Sequence, residues 1–206
     1  GGKTTNAAIV ERRRQDCAAL LATLFASRGT IMLIAGDEFG RSQHGNNNAY
    51  AQDNETTWLD WEEADEELLG FARALAALRR EFGALSGTAI LTGRPGNGSE
   101  FPDVAWLTEL GDALAPEDWQ EEGRRAFTMM LREGDGATAL RLAIFINAND
   151  HPRAFTLPAR AGYEWRRRAA FGVPDPGAAA AGIIPAPARS VLFYAEARAG
   201  EQDDRT

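Results

Sequence analysis

The chain has 206 residues, with 22 Lys and Arg against 30 Asp and Glu, for a formal net charge of −8. That balance leaves no basic surface to neutralise a phosphate backbone, so nucleic acid is excluded as a partner class. Hydrophobic residues make up 44% and charged residues 25%, which fits one or two compact units and argues against wholesale disorder, while the length falls short of the ~250 residues of a typical eight-stranded β/α barrel.

Cys17 is the single cysteine, so there is no internal disulfide framework and no multi-cysteine metal site. A reducing, cytoplasmic setting is expected. No run approaches the ~18 apolar residues of a membrane span, and Gly1 to Asn6 lacks the apolar core of a signal peptide, so no membrane partner is expected. The chain does not open on methionine, and a processed or excised piece is expected.

The first periodic signal runs from about Asn6 to Ser27, where Cys17, Leu20, Leu21, Leu24 and Phe25 recur at the spacing of one helical face. Thr4 or Thr5 can cap its start and Gly29 can end it. Thr30 to Ala35 is a continuous apolar run that reads as a strand covered on both faces, as in a parallel sheet. Helix followed directly by buried strand is an α/β signature. A polar stretch then runs from Gly36 to Thr57, and a loop that long inside a compact unit is functional or disordered. A second helix is predicted from about Ala64 to Phe82, with Leu68, Phe71, Leu75, Leu78 and Phe82 on one stripe, acidic Asp65, Glu66 and Glu67 in its first turn, and Gly83 as its stop.

Beyond Gly83 the texture changes. Val104 to Leu107, Phe127 to Leu131, Leu140 to Ile146, Ala154 to Leu157, Tyr163 to Arg168 and Arg189 to Ala195 are separated by Gly, Pro, Asp and Asn clusters, the pattern of a small antiparallel β-sandwich. The boundary falls near Gly83 to Gly87. The expected organisation is therefore an α/β unit over 1 to 83, a β-sandwich over 84 to 199 and a frayed tail over 200 to 206. Pro174 to Pro187 reads as an irregular loop.

The chemistry concentrates between Gly36 and Asn54. This segment starts where a buried strand would end, and in parallel α/β sheets those ends carry the ligand. It holds Asn46, Asn47, Asn48, Tyr50, Gln52 and Asp53 with few positive charges. Amides both donate to and accept from sugar hydroxyls, and Tyr50 or Trp58 can cover an apolar sugar face, so the inventory suits a neutral polyhydroxyl ligand. Asn, Gly and Asp also form turns, which explains the composition equally well. There is no glycine-rich phosphate loop or lysine cluster for a nucleotide.

Glycoside hydrolysis needs two carboxyl groups ~5–9.5 Å apart across the scissile bond. Asp37 and Glu38 are a poor pair, because neighbours at a strand end point to opposite faces. At least one of them is expected to hold the scaffold, and Asp53 is better placed as a pocket carboxylate. His44 lies in the loop and His151 in Asn149-Asp150-His151-Pro152, which reads as a hairpin turn, too differently placed for a metal site or a triad. Cys17, on the apolar stripe, reads as a small core residue. Glu55 to Glu67 reads as a solvated helix start, and Arg12 to Arg14 as a polar helix face. Trp58 and Trp61 are a sugar platform or buried packing, with packing expected for one of them.

Gly29-Thr30-Ile31-Met32-Leu33-Ile34-Ala35-Gly36-Asp37-Glu38, then Ser42 to Tyr50, Gln52-Asp53-Asn54 and Thr57-Trp58-Leu59-Asp60-Trp61 closely resemble the bacterial glycogen debranching enzymes of the isoamylase type, within the α-amylase superfamily. Val10 to Arg14, Val104 to Leu107 and Glu117 to Gln120 extend the resemblance across most of the chain. The family commonly has Pro where Ile31 stands and Cys where Ala51 stands. The resemblance implies that residues 1 to about 83 are the last helix–strand–helix of a catalytic (β/α)8 barrel, with Thr30 to Ala35 as its eighth strand, and that the rest is the C-terminal β-sandwich. It implies hydrolysis of α-1,6 branch linkages in glycogen or limit dextrin by a retaining two-carboxylate mechanism, with no cofactor. The catalytic carboxylates of that family lie on earlier barrel strands, and none of those motifs occurs here. The fragment alone is therefore expected to be inactive, with Asn46, Asn47, Asn48, Tyr50 and Asp53 as glucan contacts of the whole enzyme. The rival expectation is a non-catalytic α-glucan-binding or scaffold module. In either case an orphan barrel strand predicts self-association, or docking of its apolar surface onto the sandwich.

Overall fold

The computed structural model describes residues 4–173 and 177–200. The opening Gly1-Gly2-Lys3, the first three residues of the predicted Pro174 to Pro187 loop, and the predicted tail beyond Gly200 lie outside the described residues. Helix α1 spans Ala7–Ala26, and its cap is Asn6, whose Oδ1 accepts from Ala8 N at 3.0 Å. Thr4 instead accepts from Asn6 N at 3.2 Å, and Ser27 closes the helix before Gly29 is reached.

The buried face of α1 is Ala18, Leu21, Ala22, Phe25 and Ala26. Cys17 is exposed and Leu20 is 71% exposed. The predicted stripe was thus rotated by about a residue, because alanine carries the same 3.6-residue register with little hydrophobic signal. Helix α2 spans Glu66–Glu81, capped by Asp65, whose carboxylate accepts from Glu67 N at 3.1 Å and Leu68 N at 3.0 Å. Its predicted stripe holds: Leu68, Phe71, Leu75 and Leu78 are buried, with Phe82 at its C-cap. Gly83, predicted as a stop, instead opens a further short helix, α3, over Gly83–Ser86.

Thr30 to Ala35, predicted as a buried strand, joins no ladder. Met32 is 88% and Ile34 66% exposed. A strand needs neighbours to take its N–H and C=O groups, and among the described residues no strand lies beside this run. The expected helix–strand–helix is therefore observed as helices α1 and α2 joined by a connection without a strand.

Strands β1 (Val104–Leu107), β2 (Ala126–Glu133), β3 (Leu140–Asn147), β4 (Arg153–Leu157), β5 (Tyr163–Ala170), β6 (Ala179–Ala180), β7 (Gly182–Ala186) and β8 (Ser190–Arg198) follow. All pairs are antiparallel, in a six-stranded sheet of order β1-β2-β3-β8-β5-β6 and a two-stranded sheet β4-β7. Two of these strands fall inside the predicted irregular loop. The signal there was masked by Pro185, which β7 tolerates because it pairs only with β4 and so has a free edge.

The large sheet lies between two layers. On one face Met130, Phe145, Leu192 and Tyr194 pack with Phe155, Leu157 and Ile184 of the small sheet, and the Phe145 and Phe155 rings stack at 4.7 Å. On the other, Leu131, Leu142, Ile144 and Phe193 pack with Leu21, Phe25, Phe71 and Leu75 of the helices. The alternation along each strand assigns successive side chains to the two cores. Ion pairs join helix to sheet, Arg168 to Glu81 at 2.6 Å and Arg189 to Asp16 at 3.1 Å.

The turn at Asn149 to Pro152, read as a hairpin, is an arch that carries the chain from the large sheet to the small one. Asn147, 1% exposed, holds it: its amide donates to Pro187 O at 2.7 Å and His151 O at 3.2 Å, and its Oδ1 accepts from Asn149 N at 3.1 Å. Glu196, with a fully buried side chain, accepts from Arg141 at 2.5 Å and Arg160 at 3.3 Å.

Candidate functional site

The long loop begins with a fixed elbow. Gly36 has φ of 100°, and a Cβ there would meet Arg41 Cβ at 2.7 Å, so only glycine fits. Glu38 accepts from Gly36 N at 2.9 Å, closing a 3-10 turn over Asp37–Phe39. Asp37 is left exposed. Glu38 is thus committed to the scaffold, as expected of at least one of the pair, but through a 3-10 turn and not through the alternation of a strand end.

Phe39 is 2% exposed and anchors the elbow against α2. Its carbonyl accepts from Asp65 N at 3.1 Å, and its ring lies 4.7 Å from that of Trp61. Asp65 also binds Arg14 of α1, with Nη2 to Oδ1 at 2.8 Å. The hydrogen bond from Arg14, followed by those from Leu68 and Glu67, outweighs desolvation and lowers the Asp65 carboxyl to about 2. One carboxylate therefore caps α2, grips α1 and sits beside the root of the loop.

The asparagines use their oxygens locally. Asn46 Oδ1 accepts from Asn48 N at 2.9 Å, Asn48 Oδ1 from Tyr50 N at 3.3 Å and Asn54 Oδ1 from Thr56 N at 3.0 Å. These are turns in which the side chain mimics a backbone acceptor. Among the described residues, the amide nitrogens of Asn46, Asn47 and Asn48 make no hydrogen bond within the chain, and all three residues are exposed. The turn role and an outward donor role therefore coexist, one on each end of the amide. Tyr50 is 89% exposed, and Asp53 accepts from the indole N–H of Trp58 at 2.8 Å.

A groove of about 840 Å³ opens beside this loop, lined by Arg41, Ser42, His44, Trp58 and Trp61 with Glu55, Asp60, Glu62 and Glu63. Asn46, Asn47, Asn48 and Tyr50 lie outside its lining, and Asp53 reaches it only through Trp58. Trp58 and Trp61 are 60% and 62% exposed, Trp61 packing one side on Phe39. Reasoning from the sequence missed Arg41, whose Nη1 donates to Thr57 O at 3.5 Å, while the groove's carboxylates are solvated as expected but precede the helix, which starts at Glu66. The three-residue spacing of Trp58 and Trp61 was the signal for it.

His151 pairs with Asp150 at 3.0 Å in the arch. At Cys17, desolvation and the charges of Asp16, Asp37 and Asp65 push the thiol up, the reverse of nucleophile activation. Among the described residues no group of three or more His, Cys, Asp or Glu is placed to hold a metal ion, and no helix is long and apolar enough to cross a membrane.

No family model matches the chain. It is 43% identical over 164 residues to the glycogen debranching enzyme of Dickeya chrysanthemi, covering 80% of this chain and 22% of that protein. The corresponding enzyme of Escherichia fergusonii is 42% identical over 167 residues, covering 81% and 23%. The chain thus spans less than a quarter of the curated relatives it matches. In structure it is similar to a pneumococcal glycogen-degrading catalytic module, with a TM-score of 0.64 and 14% identity over 94% of this chain and 33% of the other.

Proposed function

This chain is a homologue of the bacterial glycogen debranching enzymes, and we propose that it is the C-terminal portion of such an enzyme, of the isoamylase type, hydrolysing α-1,6 branch linkages in glycogen or limit dextrin in the cytoplasm. The observation that carries this reading is the apolar run Thr30 to Ala35, with Met32 88% exposed, leading straight into the polar loop of a chain that spans 22% of its relative. An apolar strip of this kind is a strand awaiting neighbours. In the proposed enzyme those neighbours come from the remaining barrel, and Thr30 to Ala35 closes it.

The chemistry of the whole enzyme needs an acid and a second carboxylate across the scissile bond. Two of the loop's carboxylates are engaged otherwise, Glu38 by Gly36 N and Asp53 by Trp58. Their role is to shape the loop that walls one side of the glucan cleft, where the outward amides of Asn46, Asn47 and Asn48, the ring of Tyr50 and the groove tryptophans meet sugar hydroxyls and faces. The fragment alone is inactive and self-associates through its uncovered strip.

The test is kinetic. In the full-length enzyme, Asn48→Ala or Asp53→Asn raises KM or lowers kcat on branched glucan by about ten-fold, through one lost hydrogen bond to substrate at Asn48 or the weakened hold on Trp58 at Asp53. Unchanged kinetics with intact folding rejects the loop as a substrate wall.

A further inference from the structure

We infer that Trp106, Trp119 and Phe127 form a second, non-catalytic docking site for a neutral α-glucan chain, on the large sheet and outside the groove of the long loop. The site goes beyond the debranching reading and rests on it only for the identity of the glucan.

The three rings form a closed cluster, with centroids 5.4 Å apart for Trp106 and Trp119, 5.8 Å for Trp106 and Phe127, and 6.0 Å for Trp119 and Phe127. Trp106 sits on β1, two residues from Val104 and therefore on the same face of the sheet. That face is the one the helices cover, but the cover stops short. Val104 is 9% exposed, Trp106 37% and Trp119, on the 3-10 turn Pro116–Gln120, 49%. Large indoles left open at the edge of a layer, edge to face at 81°, present more than one ring plane, as a curved chain of sugars requires.

Their polar ends are also uncommitted. The indole N–H of Trp165 donates to Pro158 O at 3.0 Å and that of Trp58 to Asp53 at 2.8 Å. Among the described residues, those of Trp106 and Trp119 have no partner. A donor beside an apolar ring face is the combination that binds a pyranose, one contact for a hydroxyl and one for the C–H face.

The setting selects charge and rigidity. Glu117 and Glu121 are exposed on either side of Trp119, so an acidic polysaccharide is repelled and a neutral one is not. Arg124 donates to Asp118 at 2.7 Å and to Glu121 at 2.8 Å, and Asp118 accepts from Ala115 N at 2.7 Å. The turn that carries Trp119 is thereby fixed before any ligand arrives, which lowers the ordering cost of binding.

The experiment is affinity electrophoresis of the 206-residue chain in gels cast with glycogen, with fluorescence titration by maltoheptaose. Retention of the native chain, lost by about ten-fold in Trp119→Ala and largely kept in Trp119→Phe, is the expected result, with Ile183→Ala, at an exposed position of β7, retained as the native chain is. A native chain that runs unretained overturns the site, as does a Trp119→Ala variant retained equally. A Trp119→Ala variant that loses only self-association in sedimentation, with glycogen retention unchanged, assigns the cluster to a protein contact and also overturns it. Circular dichroism of each variant separates binding from folding. Loss of the site with branch hydrolysis by the full-length enzyme intact leaves the debranching reading standing, and glycogen retention with no such hydrolysis does the reverse.

Discussion

The large sheet and the segment from Thr30 to Trp61 treat their side chains in opposite ways. In the sheet, Phe145 and Phe193 are completely buried, as is Phe155 of the small sheet packed on it, and even a charged Glu196 is enclosed by two arginines. In the segment, Met32, Ile34, Tyr50, Trp58 and Trp61 are all at least 60% exposed, while asparagine oxygens serve only turns a few residues away. One region completes its packing within the chain. The other makes an ordered backbone anchored by the buried Phe39, with these five large side chains left open to solvent.

Substitutions should therefore have opposite costs in the two regions. The largest expected effect is at Phe155, where removal of the ring stacked on Phe145 opens a cavity in the sheet core: Phe155→Ala costs about 3–5 kcal/mol, read from the urea midpoint. A small effect there would mean that the two-stranded sheet is not part of the cooperative unit.

Next is Asp65, which joins the regions. Asp65→Ala loses the cap of α2 and the Arg14 contact, about 2 kcal/mol in a site a quarter exposed. Its carboxyl is depressed to about 2 from an unfolded value near ~3.9. The stability it contributes is present above about pH 4 and lost as pH falls through about 2. The native chain should thus show an acid-dependent loss in that window that the Asp65→Ala variant lacks, measured by thermal melting across pH.

The smallest effect on stability is expected where the sequence looks most hydrophobic. Met32→Ser with Ile34→Ser should change the free energy of unfolding by no more than about 0.5 kcal/mol while abolishing self-association in sedimentation. A large destabilisation would mean that the strip is packed after all and would erase the contrast between the regions.

The sheet was largely legible because its cues are local. Val104 to Leu107 matches β1 to the residue, and the stripe of α2 follows from leucines and a phenylalanine at helical spacing. What was illegible depended on partners. The run Thr30 to Ala35 has the composition of a buried strand, yet burial is a property of neighbours, and among the described residues no strand lies beside it. The α1 contact runs through Ala18, Ala22 and Ala26, which carry little periodic signal. β7 was hidden by Pro185, whose missing N–H matters only on a paired edge. In the loop, the residue types pointed to hydrogen bonding but not to its direction, so the inward oxygens and outward nitrogens of Asn46 and Asn48 emerged only from the geometry.

The grip of Arg79 on the end of α1 has a consequence for assembly. Its guanidinium on α2 donates to Phe25 O at 2.7 Å and Gly29 O at 2.6 Å, with Ser27 O between them. The chain therefore leaves the helix at a fixed position and heading, one residue before the apolar strip begins. In the proposed whole enzyme an incoming strand would meet an edge whose origin is already ordered, so less backbone freedom would remain to be lost when the two join. A side chain far from any sugar thus sets the starting point of the seam along which the barrel would shut.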